Sequence, residues 1–413
     1  MQTKKIVVVG GGPAGMMAAI RSAQLDQDVI LLEKNPTLGR KLLLSGKGRC
    51  NLTNACDLQL FLKRYSHTAD FLRDAFKKFF NQELMSFFEE RGLQLKVERQ
   101  LRVFPVSDFS SSILEVLKKE LEKSSVKIIY KTSLKDIVVS NNAVAAVVTS
   151  DGRSIPADRV ILATGGISYA FTGSTGDGLA IAKKSGHAIV STRAGLVPLV
   201  TKQKFVKALE GLTLKNIRLV FDSGKRQIVS EIGEMLFTDV GISGPLVLSL
   251  SGRIVDWLEE NKDVTVSIDL KPALTQEQLD ARLLREFKLN SRKAVKNVLA
   301  ELMPKRLVDV FVKIAKIDPD KQVSQVTKNE RENLASLLKG FRLNIAGALA
   351  MEEAMVTRGG VSLKEINPRT MESRRIKGLY FCGEMIDIDA DTGGFNLQAA
   401  FSTGYLAGES AAG

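Results

Sequence analysis

Apolar positions recur along the chain with two periods, and the first 33 residues show both. Residues 6–9 are continuously apolar, which predicts a short strand buried on both faces. Residues 16–25 repeat their apolar side chains at helical spacing, and 28–32 form a second apolar run. The same spacing predicts helices within 58–92, where Phe71, Ala75 and Phe79, then Leu84, Phe87 and Phe88, share a stripe that Phe76 and Phe80 widen. Those aromatics read as core rather than as a cofactor box. Strands are expected around 93–97 and over 126–130, 134–139 and 143–149, a helix over 110–123, and turns at Asn141-Asn142 and Asp151-Gly152. Residues 160–162 are another apolar strand, running into Ala163-Thr164-Gly165-Gly166, and a helix follows over 179–185.

From residue 189 the texture changes. Short apolar segments over 189–268, with turns at Asp222-Ser223-Gly224 and Ile242-Ser243-Gly244-Pro245, predict a β-rich unit. Residues 275–340 have helical periodicity, with Lys271-Pro272 as the join. Glycines return over 341–361, and residues 378–384 read as one more sheet strand, ending in Gly383 and Glu384. Alternating strands and helices at both ends predict one doubly wound α/β domain made of 1–188 and 343–413. A β-rich insert domain (189–270) and a helical subdomain (271–342) interrupt it.

The break between the first strand and helix carries chemistry. Gly10-Gly11-Gly12-Pro13-Ala14-Gly15 fits G-x-G-x-x-G: Gly10 permits the tight turn, Gly12 admits a pyrophosphate, and Gly15 lets helix and strand pack closely. The helix N-terminus, opening at Pro13, offers free amides and a positive dipole end to phosphates. Glu33 lies 18 residues past Gly15, where an acid can bond an adenosine ribose. Strand, glycines, helix, strand and acid in this order predict dinucleotide binding. The segment 34–54 then mixes cations, hydroxyls, amides and glycines suited to wrapping a diphosphate. Gly39 and Gly46 permit backbone approach, Ser45, Asn51 and Thr53 can hydrogen-bond, and Lys34, Arg40, Lys41 and Arg49 offset charge. Lys41 and Arg49 are also candidate charge partners for a substrate. The glycines of 173–178 have the order G-x-x-G-x-G and make no second fingerprint; Asp177 either contacts the cofactor or caps the following helix.

Composition narrows the class. The 413 residues suggest about two or three domains, and 44% hydrophobic with 25% charged content is ordinary for a globular protein. No apolar run approaches the ~20 residues of a membrane span, and the first one, already used as a strand, does not resemble a signal peptide. Cys50, Cys56 and Cys382 form no C-x-x-C pair, which fits a reducing cytoplasm. Cys50 is either core packing or a redox thiol. His67 and His187 are far apart and give a metal site little support. The net charge of +13 is uneven: residues 282–342 hold 15 Lys+Arg against 7 Asp+Glu. That excess reads as solvated basic helix faces, with a nucleic-acid surface as the less favoured alternative.

The C-terminal stretch points to a flavin. A helix beginning near Asn396, after Gly393-Gly394, would aim free amides at a reduced isoalloxazine, which carries negative charge on its pyrimidine edge. FAD is long, so Gly383, Glu384 and the 393–399 turn could supply contacts that the first βαβ unit cannot. No second dinucleotide fingerprint exists, so NAD(P)H would have to dock transiently.

The combination GGGPAG, GRKLLLSGKGRCNLTN, ATGG, GSTGDG, MVTRGGVSLKEINPRTMESRRIKGLYFCGEMID and TGGFNLQAAFSTG resembles a known family. It is that of the bacterial three-domain NAD(P)/FAD-dependent oxidoreductases related to aminoacetone oxidase and the bile-acid dehydro-intermediate reductase. The resemblance spans almost the whole chain. It implies a Rossmann-like FAD-binding domain of the two-dinucleotide-binding-domain flavoprotein type, with the β-rich insert carrying the helical subdomain, and noncovalent FAD. It implies that Gly10, Gly12, Ala14 and Gly15 face the pyrophosphate, Glu33 the adenosine ribose, and Lys34, Arg40, Lys41, Ser45 and Gly46 the diphosphate and ribityl chain. Ala163, Thr164 and Gly165 would lie beside the cofactor, Glu384 near the ribityl hydroxyls, and Gly394, Asn396 and Leu397 beside the pyrimidine. The family often carries Thr-His where this chain has Thr238-Asp239, so Asp239 would replace any proton-donating histidine there. The expected chemistry is hydride transfer between flavin and a small organic substrate, enone-like or a small amine, held between the FAD and insert domains. The rival is a flavoprotein that binds or modifies RNA through its basic helices.

Overall fold

The computed structural model describes residues 3–65, 68–260 and 263–413. His67 therefore lies outside the described residues. The apolar runs read from the sequence form a five-stranded parallel sheet in the order Leu379–Phe381, Arg159–Leu162, Lys5–Val9, Asp28–Leu32, Lys127–Ile129. Ile6, Val7, Val8, Leu31, Val160, Ile161, Leu162, Leu379 and Phe381 are buried, as continuous apolar strands of a two-faced sheet must be. Adjacent strands pair in register, Val7 with both Ile30 and Val160.

Strands from both ends of the chain thus share one sheet, and two helices close one face. Pro13–Ala23 follows the glycine turn, with Pro at its first position where the missing N–H costs nothing. Phe395–Ala412 packs along it, Ser22 Oγ donating to the Gly408 carbonyl at 3.0 Å. The 58–92 aromatics fill the core beside them: Phe61 stacks edge-on against Phe395 at 4.7 Å, and Tyr65 Oη donates to the Phe395 carbonyl at 2.7 Å. Two small antiparallel sheets flank this region, one of Leu134–Ser140, Ala143–Thr149 and Ser154–Pro156, the other of Thr53–Asn54, Arg102–Pro105 and Leu95–Val97.

The chain divides into two units, Met1–Gly195 with Met351–Gly413, and Leu196–Ala350. These limits differ from the expected 188/189 and 342/343. Residues 189–195 and 356–361 pair as antiparallel strands within the first unit, and Phe341–Ala348 joins the sheet of the second. In the second unit, six antiparallel strands (Thr213–Asp222, Gly233–Phe237, Gly241–Ser243, Leu199–Thr201, Phe341–Ala348, Val264–Asp269) close on themselves into a barrel, leaving Gln227–Val229 as an appended strand. Closure removes the exposed edges an open sheet would carry.

Two expectations for this unit need correction. Residues 245–259 form a 15-residue helix, Pro245–Glu259, inside the stretch read as β-rich. Pro245 opens that helix rather than ending a turn; its Leu-Val-Leu run is apolar enough to pass for a buried strand. The helices Gln276–Leu289, Val295–Leu302, Lys305–Ala315 and Lys328–Lys339 are present, but they are not a separate subdomain. Leu283, Leu299, Phe311 and Leu338 belong to the same hydrophobic core as barrel residues Leu219, Val266 and Phe341.

Candidate functional site

The glycine turn is built by contact. Gly10 has φ +105°, and a Cβ on it would lie 2.5 Å from the Ala163 carbonyl oxygen of the neighbouring strand end. A Cβ on Gly15 would lie 1.9 Å from the Gly10 oxygen, so helix and turn meet backbone to backbone. Gly12 is different: nothing lies within 4 Å of where its Cβ would be. The first helical bond runs from Met16 N to the Gly12 carbonyl at 2.9 Å, leaving the preceding amides of the turn, Ala14 and Gly15 among them, without helical acceptors. Open space beside Gly12 and unsatisfied amides at a helix start are what an anionic diphosphate requires.

Glu33 is buried, and both carboxylate oxygens are in use. Oε2 accepts from the Gly11 amide at 2.8 Å, and Oε1 from Asn35 N and Nδ2, each at 2.7 Å. The acid therefore shapes the turn as well as standing where a ribose would bind. Gly39 N donates to the Gly11 carbonyl at 2.9 Å, bringing the 34–54 segment to the same turn. Asn35, not singled out by sequence, joins Glu33 to Arg40 Nη1 (2.8 Å) and to the Thr172 carbonyl (3.1 Å).

The two chain ends converge here. A Cβ on Gly383 would lie 2.7 Å from Ala14 Cβ, and Gly383 N donates to Thr403 Oγ1 at 3.0 Å. Next to it, Glu384 Oε1 accepts from Lys41 Nζ (2.9 Å), Ser168 Oγ (3.0 Å) and Thr357 N (2.7 Å), while Oε2 accepts from Lys41 at 2.6 Å. Lys41 also donates to Ser168 Oγ at 2.7 Å. Ser168 lies outside every motif and Thr357 within the MVTRGG stretch, but neither was singled out by sequence, and their long-range partners are what place them here. Gly165 belongs to the same cluster, its Cβ position 4.0 Å from Glu384 Oε2, and Thr164 Oγ1 contacts Met385 sulfur at 3.4 Å. The final glycines meet the 51–54 segment: with its amide oriented to satisfy every neighbour, Asn51 accepts from Gly394 N at 3.1 Å. A Cβ on Gly394 would lie 2.4 Å from the Thr53 oxygen. Leu397 packs against the core beside this turn.

Other expected site residues have partners within the protein. Lys34 Nζ is bound by Thr175 Oγ1 (2.5 Å) and Asp177 Oδ2 (2.8 Å). Asp177 is the first helical residue, its side chain makes no cap, and Gly176 occupies the cap position, so the capping alternative is not realised. Arg49 Nε donates to Asp108 at 2.8 Å and the guanidinium also pairs with Glu98 while lying over the Phe104 ring at 4.2 Å. Those carboxylates hold its pKa up. Ser45 Oγ donates to the Leu42 carbonyl at 2.6 Å. Gly46 is left-handed, with Asn51 N 2.8 Å from its Cβ position. The Asn396 side chain reaches back to Ala390 N and O, which leaves only its backbone to face a ligand. Cys50 is buried and burial pushes its thiol up to about 12, so it stays protonated and packs. Asp239 lies exposed in the turn between Gly233–Phe237 and Gly241–Ser243. Among the described residues no group of three or more His, Cys, Asp or Glu could hold a metal, and no helix is long and apolar enough to cross a membrane.

A parallel sheet whose strand ends surround a glycine turn and a ribose-type acid defines a Rossmann-type dinucleotide-binding protein. Comparison gives the family. The HI0933-like protein Rossmann domain matches residues 4–410, and the chain belongs to that family. It is 35% identical over 99% of both chains to the 3-dehydro-bile acid delta(4,6)-reductase of Clostridium scindens. It is 30% identical to the ribosomal RNA dihydrouridine synthase of Haemophilus influenzae, covering 98% of this chain and 97% of the relative. Among solved structures, the 3-ketosteroid-delta4-(5alpha)-dehydrogenase of Rhodococcus jostii RHA1 has the same fold, with a TM-score of 0.52, 15% identity, and 100% of this chain and 98% of that one covered.

Proposed function

We propose that this chain binds FAD between its two ends and reduces a carbon–carbon double bond conjugated to a carbonyl, with transiently docked NAD(P)H as reductant. The observation that carries this reading is the full-length relation to the Clostridium scindens reductase, whose name specifies an oxo acid with double bonds at fixed positions. The site residues suit the cofactor. Gly12 and the turn amides would take the diphosphate and Glu33 the adenosine ribose. Lys41 and Glu384 would stand beside the ribityl chain, and Asn51, Gly394 and the first amides of Phe395–Ala412 would meet the pyrimidine edge. When bound, the flavin supplies hydride transfer. The chain's own contribution is to hold it rigidly, to place the helix end near its negative charge, and to keep Cys50 out of the chemistry. Free, buried Cys50, Cys56 and Cys382 accord with a cytoplasmic setting.

The test is anaerobic stopped-flow mixing of purified protein with NADH and NADPH, followed by a panel of conjugated ketones and of small amines. Loss of absorbance near about 450 nm, where the oxidised ring absorbs, and its return with a ketone are the expected results. Colourless protein unable to take up added FAD would overturn the assignment; reduction by amines alone would make it an oxidase.

A second reading keeps the reaction and changes the substrate to uridine in RNA. It is favoured by the Haemophilus influenzae relative's name and by the basic excess over 282–342. RNA affinity that falls steeply with salt, with dihydrouridine formed in the bound RNA, would establish it.

A further inference from the structure

We infer that the Tyr169 hydroxyl donates the hydrogen bond that holds the acceptor's carbonyl oxygen while hydride adds to the double bond; this rests on the reductase reading above. Tyr169 follows the carboxyl end of the Arg159–Leu162 strand, the side of a doubly wound sheet on which ligands bind. Its backbone is left-handed, φ 52° and ψ 51°. A bulky aromatic residue rarely adopts that conformation, and it persists only where its surroundings impose it.

Those surroundings are the Glu384 cluster. Thr357 Oγ1 accepts from the amides of Ile167 and Ser168 at 2.8 and 3.0 Å, and Ser168 Oγ is held by Lys41 and Glu384. On the other flank, the Tyr169 carbonyl accepts from Thr172 N and Oγ1 at 2.8 and 2.7 Å. The turn is fixed on both sides of the strained residue, and the result is to bring its ring to the lysine: Lys41 Nζ lies 5.9 Å from the ring centroid. Phe171 stands edge-on to the ring at 5.7 Å and is itself exposed.

The hydroxyl has no hydrogen-bond partner among the described residues. Tyr65 and Tyr380 donate to the carbonyls of Phe395 and Ser410, while Tyr130 and Tyr405, like Tyr169, make no side-chain hydrogen bond among the described residues; Tyr405 is instead stacked on Phe79 at 4.5 Å. Burial and the charge of Glu353 hold the Tyr169 phenol above its ordinary pKa, so it remains a donor at neutral pH. A half-buried phenol held in a strained backbone and left without an internal bond is placed for a ligand.

The chemistry balances. The β-carbon takes a hydride from the reduced flavin, the double-bond pair shifts toward the carbonyl carbon, and the carbonyl pair moves onto oxygen, where Tyr169 donates. The α-carbon then takes a proton from water as the enolate collapses. The acceptor gains two electrons and two hydrogens, the electrons having come from NAD(P)H.

The test uses full-length, FAD-loaded protein and Y169F, with cyclohex-2-enone as the probe and FAD content and melting temperature checked first. Anaerobic reoxidation of the reduced variant by the enone should slow about 100-fold, the loss typical of one oxyanion donor. Its reoxidation by dioxygen, which has no carbonyl, should be unchanged. Cyclohexanone binding, read from the flavin absorption spectrum, should weaken about tenfold, near the worth of one hydrogen bond. In wild type, cyclohexanone should bind at least as much tighter than methylenecyclohexane; equal binding of the two overturns the inference without any variant. Equal enone rates in wild type and Y169F overturn it and leave the reductase reading standing. Wild-type protein that no enone reoxidises overturns both.

Discussion

A methyl group placed on Gly404 would lie 2.2 Å from the carbonyl oxygen of Ala14. Two residues 390 positions apart in the chain thus touch through bare backbone, at the first turn of the helix that opens the nucleotide site. Gly408 repeats the contact one turn on, 2.4 Å from the Ala18 oxygen. The C-terminal helix can approach the site only because these positions lack side chains.

Gly404→Val should therefore push the two helices apart. Overpacking of this kind costs about 1–3 kcal/mol. Because the contact adjoins the glycine turn, flavin retention should fall with it. Urea unfolding and the flavin-to-protein absorbance ratio of the purified variant check both, and a fully loaded, equally stable variant would contradict this helix contact.

Glu33→Ala removes the acceptor for three donors at once, Gly11 N, Asn35 N and Asn35 Nδ2. Each buried donor left without a partner costs about 1–3 kcal/mol. We expect a loss of at least ~2 kcal/mol in unfolding free energy even without added cofactor, and weaker FAD binding besides. A variant that loses only affinity would mean that Glu33 touches ligand but does not shape the turn.

Lys41 and Glu384 should behave as one unit. Their side chains are 24% and 20% exposed and their atoms 2.6 Å apart, so removing one leaves the other poorly compensated. In a double-mutant cycle of Lys41→Met and Glu384→Gln read on FAD affinity, the double variant should lose less than the two singles combined, with a coupling of about 0.5–3 kcal/mol. Strict additivity would show that the pair does not act at the site.

His187 predicts a pH dependence. Ser373 Oγ accepts from the amides of Arg375 and Ile376, so its proton goes to His187 Nε2 at 2.7 Å, while Nδ1 donates to the Ala182 carbonyl at 3.2 Å. The ring is thereby held neutral. Burial lowers its pKa below the ordinary 6.5, with the nearby Glu365 acting in the opposite sense. The unfolded chain then binds the extra proton first as pH falls, so the stability from this group is whole above about pH 6.5 and is lost below it. Urea midpoints measured between pH 7.5 and 5 should fall in wild type and fall less in His187→Gln; parallel curves would exclude the effect.

Local spacing was enough to show the two parts of the Rossmann domain. Residues 5–33 announce strand, glycine turn, helix and acid because each role is played by neighbours in sequence. The apolar strands ending at Leu162 and Phe381 are equally plain, because strands of a parallel sheet are buried on both faces and keep polar residues such as Arg159 to their ends. What no local pattern could show is which charges would find each other. Lys34 chooses Asp177, Arg49 chooses Glu98 and Asp108, and Lys41 chooses Glu384, across separations that only the folded chain closes. Ser168 carries no signal until those contacts form, and Thr357, although inside the MVTRGG stretch, gains a role only with them. The barrel closure between Thr213–Asp222 and Val264–Asp269, and the helix begun at Pro245, were likewise settled by packing, since an apolar run fits strand and helix alike until its neighbours are in place.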